Sequence, residues 1–328
     1  MPCYSPLKGW RDEATGGIKF RAEGCSQEME VACGQCLGCR LDRSRMWAMR
    51  IVHEASLYEY SQGNSFVTLT YRDVVECDDF QLKSGLHIPD DWSLNKSHFQ
   101  KFMKRLRFAF ADQTIRFFHC GEYGNRCRHG ITLDVVACPL CSVGRPHYHA
   151  ILFNCSFDDL EMYTTCNGEP RYTSKRLEDL WKYGFVDVGE VNFESAAYVA
   201  RYALKKVTGV MADDHYMQIL PSGEASWVQP EYCTMSRRPG IGRDWYEKFK
   251  GDLFPSDEVP VPGAGVFKRV PRYYEEIFGM EDPLSLEEIK EIRRVFRENN
   301  AEEYTPERLM SKYRVKQAQV QMLKRTVS

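Results

Sequence analysis

Apolar residues along this chain switch between a helical period and a period of two, and the switches outline its elements. From Leu41 to Tyr60, Trp47, Ile51, Val52, Ala55 and Tyr58 recur at helical spacing, with Arg40, Arg43, Arg45 and Arg50 beside them. That pattern predicts an amphipathic helix with a basic N-terminal half. The period then falls to two: Ser65-Phe66-Val67-Thr68-Leu69-Thr70-Tyr71, entered through Gly63-Asn64, predicts a strand. After a polar loop over 72–94, Lys96 to Phe110 sets Phe99, Phe102, Met103, Leu106 and Phe110 on one side of a second basic helix. Strands are predicted at Ile115 to Cys120, running into Gly121-Glu122-Tyr123-Gly124, at Pro146 to Phe153 and at Phe185 to Val191. A short helix at Ser174 to Tyr183 and another from Glu194 to Val207, bounded by Gly209, complete the series.

Read from 65 to 208, the order is β-α-β-β-α-β-α, two split βαβ halves. The fold class this predicts is α+β: a mainly antiparallel central sheet with helices on one face, in the ferredoxin or RRM-like manner, leaving the other face to carry a site. Around it, residues 1–60 read as a Cys-rich, loop-dominated arm and the basic helix, 61–210 as the domain built on this sheet, with a Cys-containing insert at 125–145, 211–280 as an irregular Pro/Gly-rich extension, and 281–328 as a charged helical tail.

Composition narrows the classes. Forty-three per cent hydrophobic and 27% charged residues in a 328-residue chain make a globular protein with a real core and exclude disordered and fibrous types. No apolar run reaches the length of about 20 residues that a bilayer span needs, and the opening Met1 to Trp10 lacks a secretory pattern, so a soluble, non-secreted chain is expected. With 44 Lys+Arg against 46 Asp+Glu, any nucleic-acid contact must come from a local patch. The stretch 96–128 is such a patch, with eight cations against Asp112 and Glu122; Lys101, Lys104, Arg105, Arg107 and Arg116 are its candidate DNA-binding residues. The bland alternative is a solvated helix face.

Thirteen cysteines without a secretion signal point to a reducing compartment and to metals or packing rather than disulfides. Two groups have ligand spacing: Cys33, Cys36 and Cys39, with Cys3 as a fourth candidate, and Cys127, Cys138 and Cys141 with His129. Both are candidates for structural Zn²⁺.

Chemistry concentrates elsewhere. In Arg145-Pro146-His147-Tyr148-His149, strand alternation sends His147 and His149 to one face, where two imidazoles can grip one ion. Glu122, which alternation groups with Arg116, Phe118 and Cys120, would add a carboxylate if the two strands are neighbours, a donor set that holds Mg²⁺ or Mn²⁺ less tightly than Zn²⁺; the alternative is a turn residue before Gly124. The 24 residues separating Glu122 from His147 are long for a turn between adjacent strands. In Tyr198-Val199-Ala200-Arg201-Tyr202-Ala203-Leu204-Lys205-Lys206, two phenols share a helical face about 6 Å apart. Arg201, Lys205 and Lys206 supply cations that would favour a phenolate. Tyrosines at this spacing are more often core, but the surrounding alanines are poor core partners.

His147-Tyr148-His149, Glu122 in its GEYG stretch, the FVTLTY strand and the YVARYALKK helix together resemble the HUH endonucleases that start rolling-circle replication. With Met1-Pro2-Cys3-Tyr4, the run from Cys33 to Arg40 and Ser236 to Gly242, the chain more closely resembles the replication initiation proteins of microviruses, the gokushovirus-like single-stranded-DNA bacteriophages, over all but the region past about residue 270. The resemblance implies that His147, His149 and Glu122 bind a divalent cation. It implies that Tyr198 and Tyr202 are paired nucleophiles, one leaving a 5′-phosphotyrosine and a free 3′-OH, the other closing the circle, with Arg201, Lys205 and Lys206 in support. It further implies single-stranded or supercoiled origin DNA as partner, a host polymerase and helicase, no membrane, and the cytoplasm of a bacterial host. The alternative from another class is a non-catalytic, zinc-dependent DNA-binding protein. A hydrolase using water is disfavoured, because no further His-rich motif is present.

Overall fold

The computed structural model describes residues 3–322 apart from 13, 16, 23–24, 73–87, 90, 134–135, 137, 167, 203–206, 208, 210 and 221, and describes the backbone but not the side chains of 25–27 and 202. The N-terminal arm is more regular than its loop-like composition predicts. β1 (Leu7–Asp12), β2 (Ile18–Lys19) and β3 (Cys25–Val31) form a small antiparallel sheet in the order β2-β1-β3. Its exposed, charged positions carry no alternation for a sequence reading to find.

The elements predicted from periodicity follow nearly in place: α1 (Leu37–Ser56), β4 (Asn64–Thr70), α2 (Lys96–Ala109), β5 (Arg116–Tyr123) and β6 (Pro146–Phe153). The loop expected next is instead a hairpin, β7 (Leu160–Cys166) and β8 (Glu169–Ser174), before α3 (Lys175–Trp181), β9 (Val186–Gly189) and α4 (Phe193–Tyr202). The expected continuation of α4 to Val207 runs through 203–206, outside the described residues. The region read as irregular carries α5 (Met211–Tyr216), β10 (Met217–Ile219), β11 (Ala225–Trp227), β12 (Tyr232–Met235), α6 (Arg243–Leu253), β13 (Glu258–Val261) and β14 (Gly265–Lys268). The chain then becomes helical in α7 (Arg272–Glu281), α8 (Pro283–Asn299) and α9 (Pro306–Met322).

Helix starts are set by local polar chemistry. Asn95 accepts from the Ser97 amide at the head of α2, and Ser174 accepts from the Leu177 amide at the head of α3. At α4, Asn192 Oδ1 takes the Ser195 amide at 2.8 Å while Ser195 Oγ takes the Asn192 amide at 2.9 Å, a reciprocal cap that fixes where the tyrosine helix begins.

The central sheet has seven strands in the order β12-β5-β6-β4-β9-β8-β7, and every neighbouring pair is antiparallel. Alternation divides its side chains between two cores. On one face Val67, Leu69, Tyr148, Ala150 and Leu152 pack under Phe99, Phe102 and Leu106 of α2 and Leu177 and Trp181 of α3. This is the helical layer that the βαβ order predicts. The other face is also covered: Phe66, Phe118, Cys120, Ile151 and Phe153 pack against Met49, Ile51 and Val52 of α1, Ala196, Tyr198 and Val199 of α4, and Trp245 and Tyr246 of α6. The small residues of α4 have a packing use here, since Ala196 and Ala200 are fully buried and Ser44 of α1 donates to the Ala197 carbonyl at 3.3 Å. Among the described residues, no helix is long and apolar enough to cross a membrane.

Candidate metal centre and active site

β5 and β6 are direct neighbours. Their register sets Glu122 opposite His147 and Cys120 opposite His149, so the long insert between them leaves the strand pairing intact. One carboxylate oxygen, Glu122 Oε1, lies 2.7 Å from His147 Nε2 and 2.8 Å from His149 Nε2. Glu122 is 1% exposed and His149 is fully buried, so water does little to screen this cluster.

Tautomer chemistry says what the cluster needs. His147 Nδ1 lies 3.2 Å from the Arg145 carbonyl, which can only accept, so the ring donates there. A neutral His147 then turns a lone pair toward a carboxylate oxygen. His149 Nδ1 is held at 3.0 Å by the Thr68 hydroxyl, which orients that ring too. Glu122 Oε1 and the two Nε2 atoms converge in a buried site, a donor set that a bridging cation can share. The three ligating atoms lie within 4.8 Å of one another and fit a single divalent ion. Burial alone would raise the Glu122 carboxyl, but the charge and hydrogen bonds of His147 and His149 outweigh it and hold it below the usual carboxylate range.

Helix α4 brings Tyr198 to the same face. Its ring meets His149 edge-on at 5.2 Å between centroids and Phe66 at 6.2 Å, and only 6% of the residue is exposed. Arg201 is exposed, with its guanidinium carbon 5.8 Å from the Tyr198 ring centroid. The backbone of Tyr202 ends the described part of α4; its side chain, like all of Lys205 and Lys206, lies outside the described residues.

Two contributors escape a reading of the sequence alone. Thr68 is one, although a lone hydroxyl in an otherwise apolar strand, aligned with the histidines, is a usable signal. The other is Arg171 on β8, buried, paired with Asp187 and set over the Phe66 ring at 5.2 Å. Burial lowers its guanidinium, while the Tyr163 and Tyr198 phenols and the Cys166 thiol counter that loss. Gly189 makes room for it, since a Cβ there would stand 2.6 Å from Arg171 Nη1.

The basic patch is redistributed. α2 packs on the sheet face opposite Glu122, His147 and His149, so exposed Lys101 and Lys104 do not border this site. Arg105 donates to the carbonyls of Leu180 and Trp181 at 2.6 and 2.9 Å and so ties off the end of α3; Arg107 donates to the Ile115 carbonyl. Arg116, expected to contact DNA, is 6% exposed, paired with Glu54 and bonded to the Pro239 carbonyl at 2.9 Å, which leaves it little surface for a phosphate. Linear charge counting does not register which strand face a cation takes.

Both sulfur-rich groups converge. Cys3, Cys33, Cys36 and Cys39 place their ligand atoms within 4.8 Å of one another, as do Cys127, His129, Cys138 and Cys141. Amides of Tyr4, Cys33 and Cys36 donate to sulfur within the first group, at 3.3 Å each.

Fold and site thus define an antiparallel α+β protein with a buried carboxylate–imidazole centre beside a tyrosine-bearing helix. Residues 64–207 match the family model for replication-associated protein ORF2/G2P. The chain is 31% identical over 287 residues to the replication-associated protein VP4 of Bdellovibrio phage phiMH2K, covering 86% of this chain and 79% of that one. It is 32% identical over 271 residues to the replication-associated protein ORF2 of Spiroplasma virus 4, covering 80% and 72%. With ORF4 of Chlamydia phage 1, also a replication-associated protein, it shares 32% over 256 residues, 75% of this chain and 53% of that one. The chain belongs to this family of replication-associated proteins of microvirus-like phages. No solved structure matches it.

Proposed function

We propose that this protein initiates replication of a phage genome by nicking single-stranded origin DNA with a tyrosine, and that it later rejoins the strand. The observation that carries the reading is the placement of Tyr198 against His149 within a Glu122–His147–His149 cluster. Mg²⁺ or Mn²⁺ held by these three side chains would act as a Lewis acid on a phosphate oxygen. Thr68 and the Arg145 carbonyl fix the two imidazoles so that both Nε2 atoms point inward. The Tyr198 phenol attacks phosphorus, forming an Oη–P bond as the P–O3′ bond breaks; the phenolic proton ends on the departing 3′ oxygen. Arg201 and buried Arg171 lower the cost of phenolate character. Tyr202, one turn on, is the second nucleophile, and Lys205 and Lys206 neutralise the phosphate. The free 3′-OH primes a host polymerase, with a host helicase opening the duplex in the host cytoplasm. Cys3, Cys33, Cys36 and Cys39 would hold a structural zinc ion that pins the N-terminal arm to α1.

The test is incubation of purified protein with a labelled single-stranded oligonucleotide carrying the phage origin, with Mn²⁺ or Mg²⁺. A denaturation-resistant conjugate is expected, and Tyr198→Phe combined with Tyr202→Phe should abolish it. Conjugates that survive the double change refute the nucleophile assignment. A zinc-dependent DNA-binding protein without catalysis would show no conjugate at all, and binding indifferent to His147→Ala and His149→Ala.

A further inference from the structure

The insert between β5 and β6 has almost no core of its own. Among the described residues its apolar cluster consists of the Cys127, Cys138 and Cys141 sulfurs with partly buried Ile131 and Leu133. So small a cluster cannot by itself order a loop of this length, and short segments of this kind are usually held by a metal or a cross-link. A cross-link is absent here, since all three are free thiols. Their separations instead suit a shared ion: Cys138 Sγ and Cys141 Sγ each lie 3.5 Å from His129 Nδ1. A tetrahedral zinc ion with Zn–S of about 2.3 Å and Zn–N of about 2.0–2.1 Å requires an S···N separation of about 3.5 Å.

What the loop grips gives the ion its use. At its neck the Gly124 amide donates to the Arg145 carbonyl at 2.8 Å, the same carbonyl that orients His147. A Cβ on Gly144 would lie 1.9 Å from the Gly124 carbonyl oxygen, so the two strands pinch together there with no room for a side chain. At its far end the loop holds the chain that follows α4. The Ile219 amide donates to the Leu140 carbonyl at 2.7 Å, Cys141 bridges Gln218 in strand fashion, and Ser142 donates to the His215 carbonyl. The adjoining Tyr216 hydroxyl accepts the Val207 amide at 2.9 Å, a few residues past Tyr202, and donates to Glu231. The loop therefore joins the strand ends bearing Glu122 and His147 to residues 215–219, and through Tyr216 to Val207 beyond the tyrosine helix.

We propose that Cys127, His129, Cys138 and Cys141 bind a structural Zn²⁺ ion that clamps the β5–β6 insert onto residues 215–219, and so positions the end of the tyrosine helix relative to Glu122, His147 and His149. The positioning part rests on the nicking function proposed above; the zinc site does not. The experiment compares full-length wild type with Cys138→Ser, Cys138→His and the milder His129→Ala. Zinc is counted by colorimetric release, and amide hydrogen exchange is followed at Val207, at Ile219 and, as a control for global folding, at Val67 in β4. Cys138→Ser should lose one zinc per chain, raise exchange at Val207 and Ile219 at least tenfold with Val67 still protected, and slow nicking. Cys138→His should restore both zinc and protection. His129→Ala, at an exposed ligand, supplies the same readouts should the serine variant fail to fold. Unchanged zinc in Cys138→Ser and His129→Ala, or iron in place of zinc in the wild type, overturns the site. Zinc loss with unchanged exchange at Val207 and Ile219 overturns the clamp. A wild type that holds this zinc but never nicks DNA sinks the nuclease reading alone.

Discussion

The two faces of the central sheet are made by the same strands and differ completely in chemistry. On β6, His147 and His149 face α1 and α4, while Tyr148 between them faces α2 and α3. The α2 and α3 face is a buried core in which most polar atoms tie elements together, although it also buries His119 against Phe99. The Tyr148 hydroxyl sits 2.8 Å from the Tyr71 hydroxyl, accepts the Asn95 amide at 2.8 Å and so fixes the cap residue of α2. Trp181 Nε1 donates to the Thr70 carbonyl at 2.8 Å. The α1 and α4 face buries several ionisable groups, among them His53 and Arg171, and two of its clusters bear comparison. Glu54 and Arg116 form a closed pair, whereas His147 and His149 both converge on one oxygen of Glu122. Burial of charge is therefore no marker of function; what separates the two places is donor chemistry, since a guanidinium has no lone pair to offer a metal whereas two imidazoles and a carboxylate do.

Perturbations that respect this contrast should give graded results. The largest concerns the closed pair: Arg116→Leu leaves Glu54 buried with the Gly242 amide and the more distant Arg50 charge to compensate it, and urea unfolding should show a loss of about 3–5 kcal/mol. Nicking by the remaining folded protein should match wild type. A selective loss of DNA affinity without destabilisation would return Arg116 to the DNA-contacting set. Next comes Tyr148→Phe, which strands the Asn95 amide on the opposite face and should cost about 1–2 kcal/mol, with metal affinity unaltered despite two histidines as sequence neighbours. A shift in Mn²⁺ affinity would mean that the two faces are mechanically coupled through β6. The smallest effect is expected from Lys101→Glu with Lys104→Glu, exposed on α2, where stability should move by less than about 0.5 kcal/mol. Nicking at moderate salt should be unchanged within about twofold, and a salt-sensitive loss would show that DNA wraps round to the α2 face.

The histidine pair and the tyrosine helix were legible because each depends on a local period. Alternation puts His147 and His149 on one face whatever the strand pairs with, and a helix keeps Tyr198 and Tyr202 in line. The β7–β8 hairpin was not legible, because β7 is an edge strand exposed at nearly every position and shows no alternation. Nor was β12, whose pairing with β5 joins residues more than a hundred positions apart and leaves no local trace. Arg171 was missed with the hairpin that carries it. The pairing of Arg116 was hidden for a related reason: its charge is visible in the sequence, whereas its partner Glu54 comes from α1, a different part of the chain.

By itself the sequence determined which side chains share a face of each element, since backbone geometry imposes periods of two and 3.6 before any tertiary contact forms. It also determined the donor types available to metals. Only the tertiary structure decided that Glu122 meets both imidazoles, that Thr68 and the Arg145 carbonyl aim them, and that the basic helix lies on the far side of the sheet. Those outcomes depend on strand order and on which helix covers which face, and these are settled by burial of apolar surface summed over the whole chain rather than by any one segment.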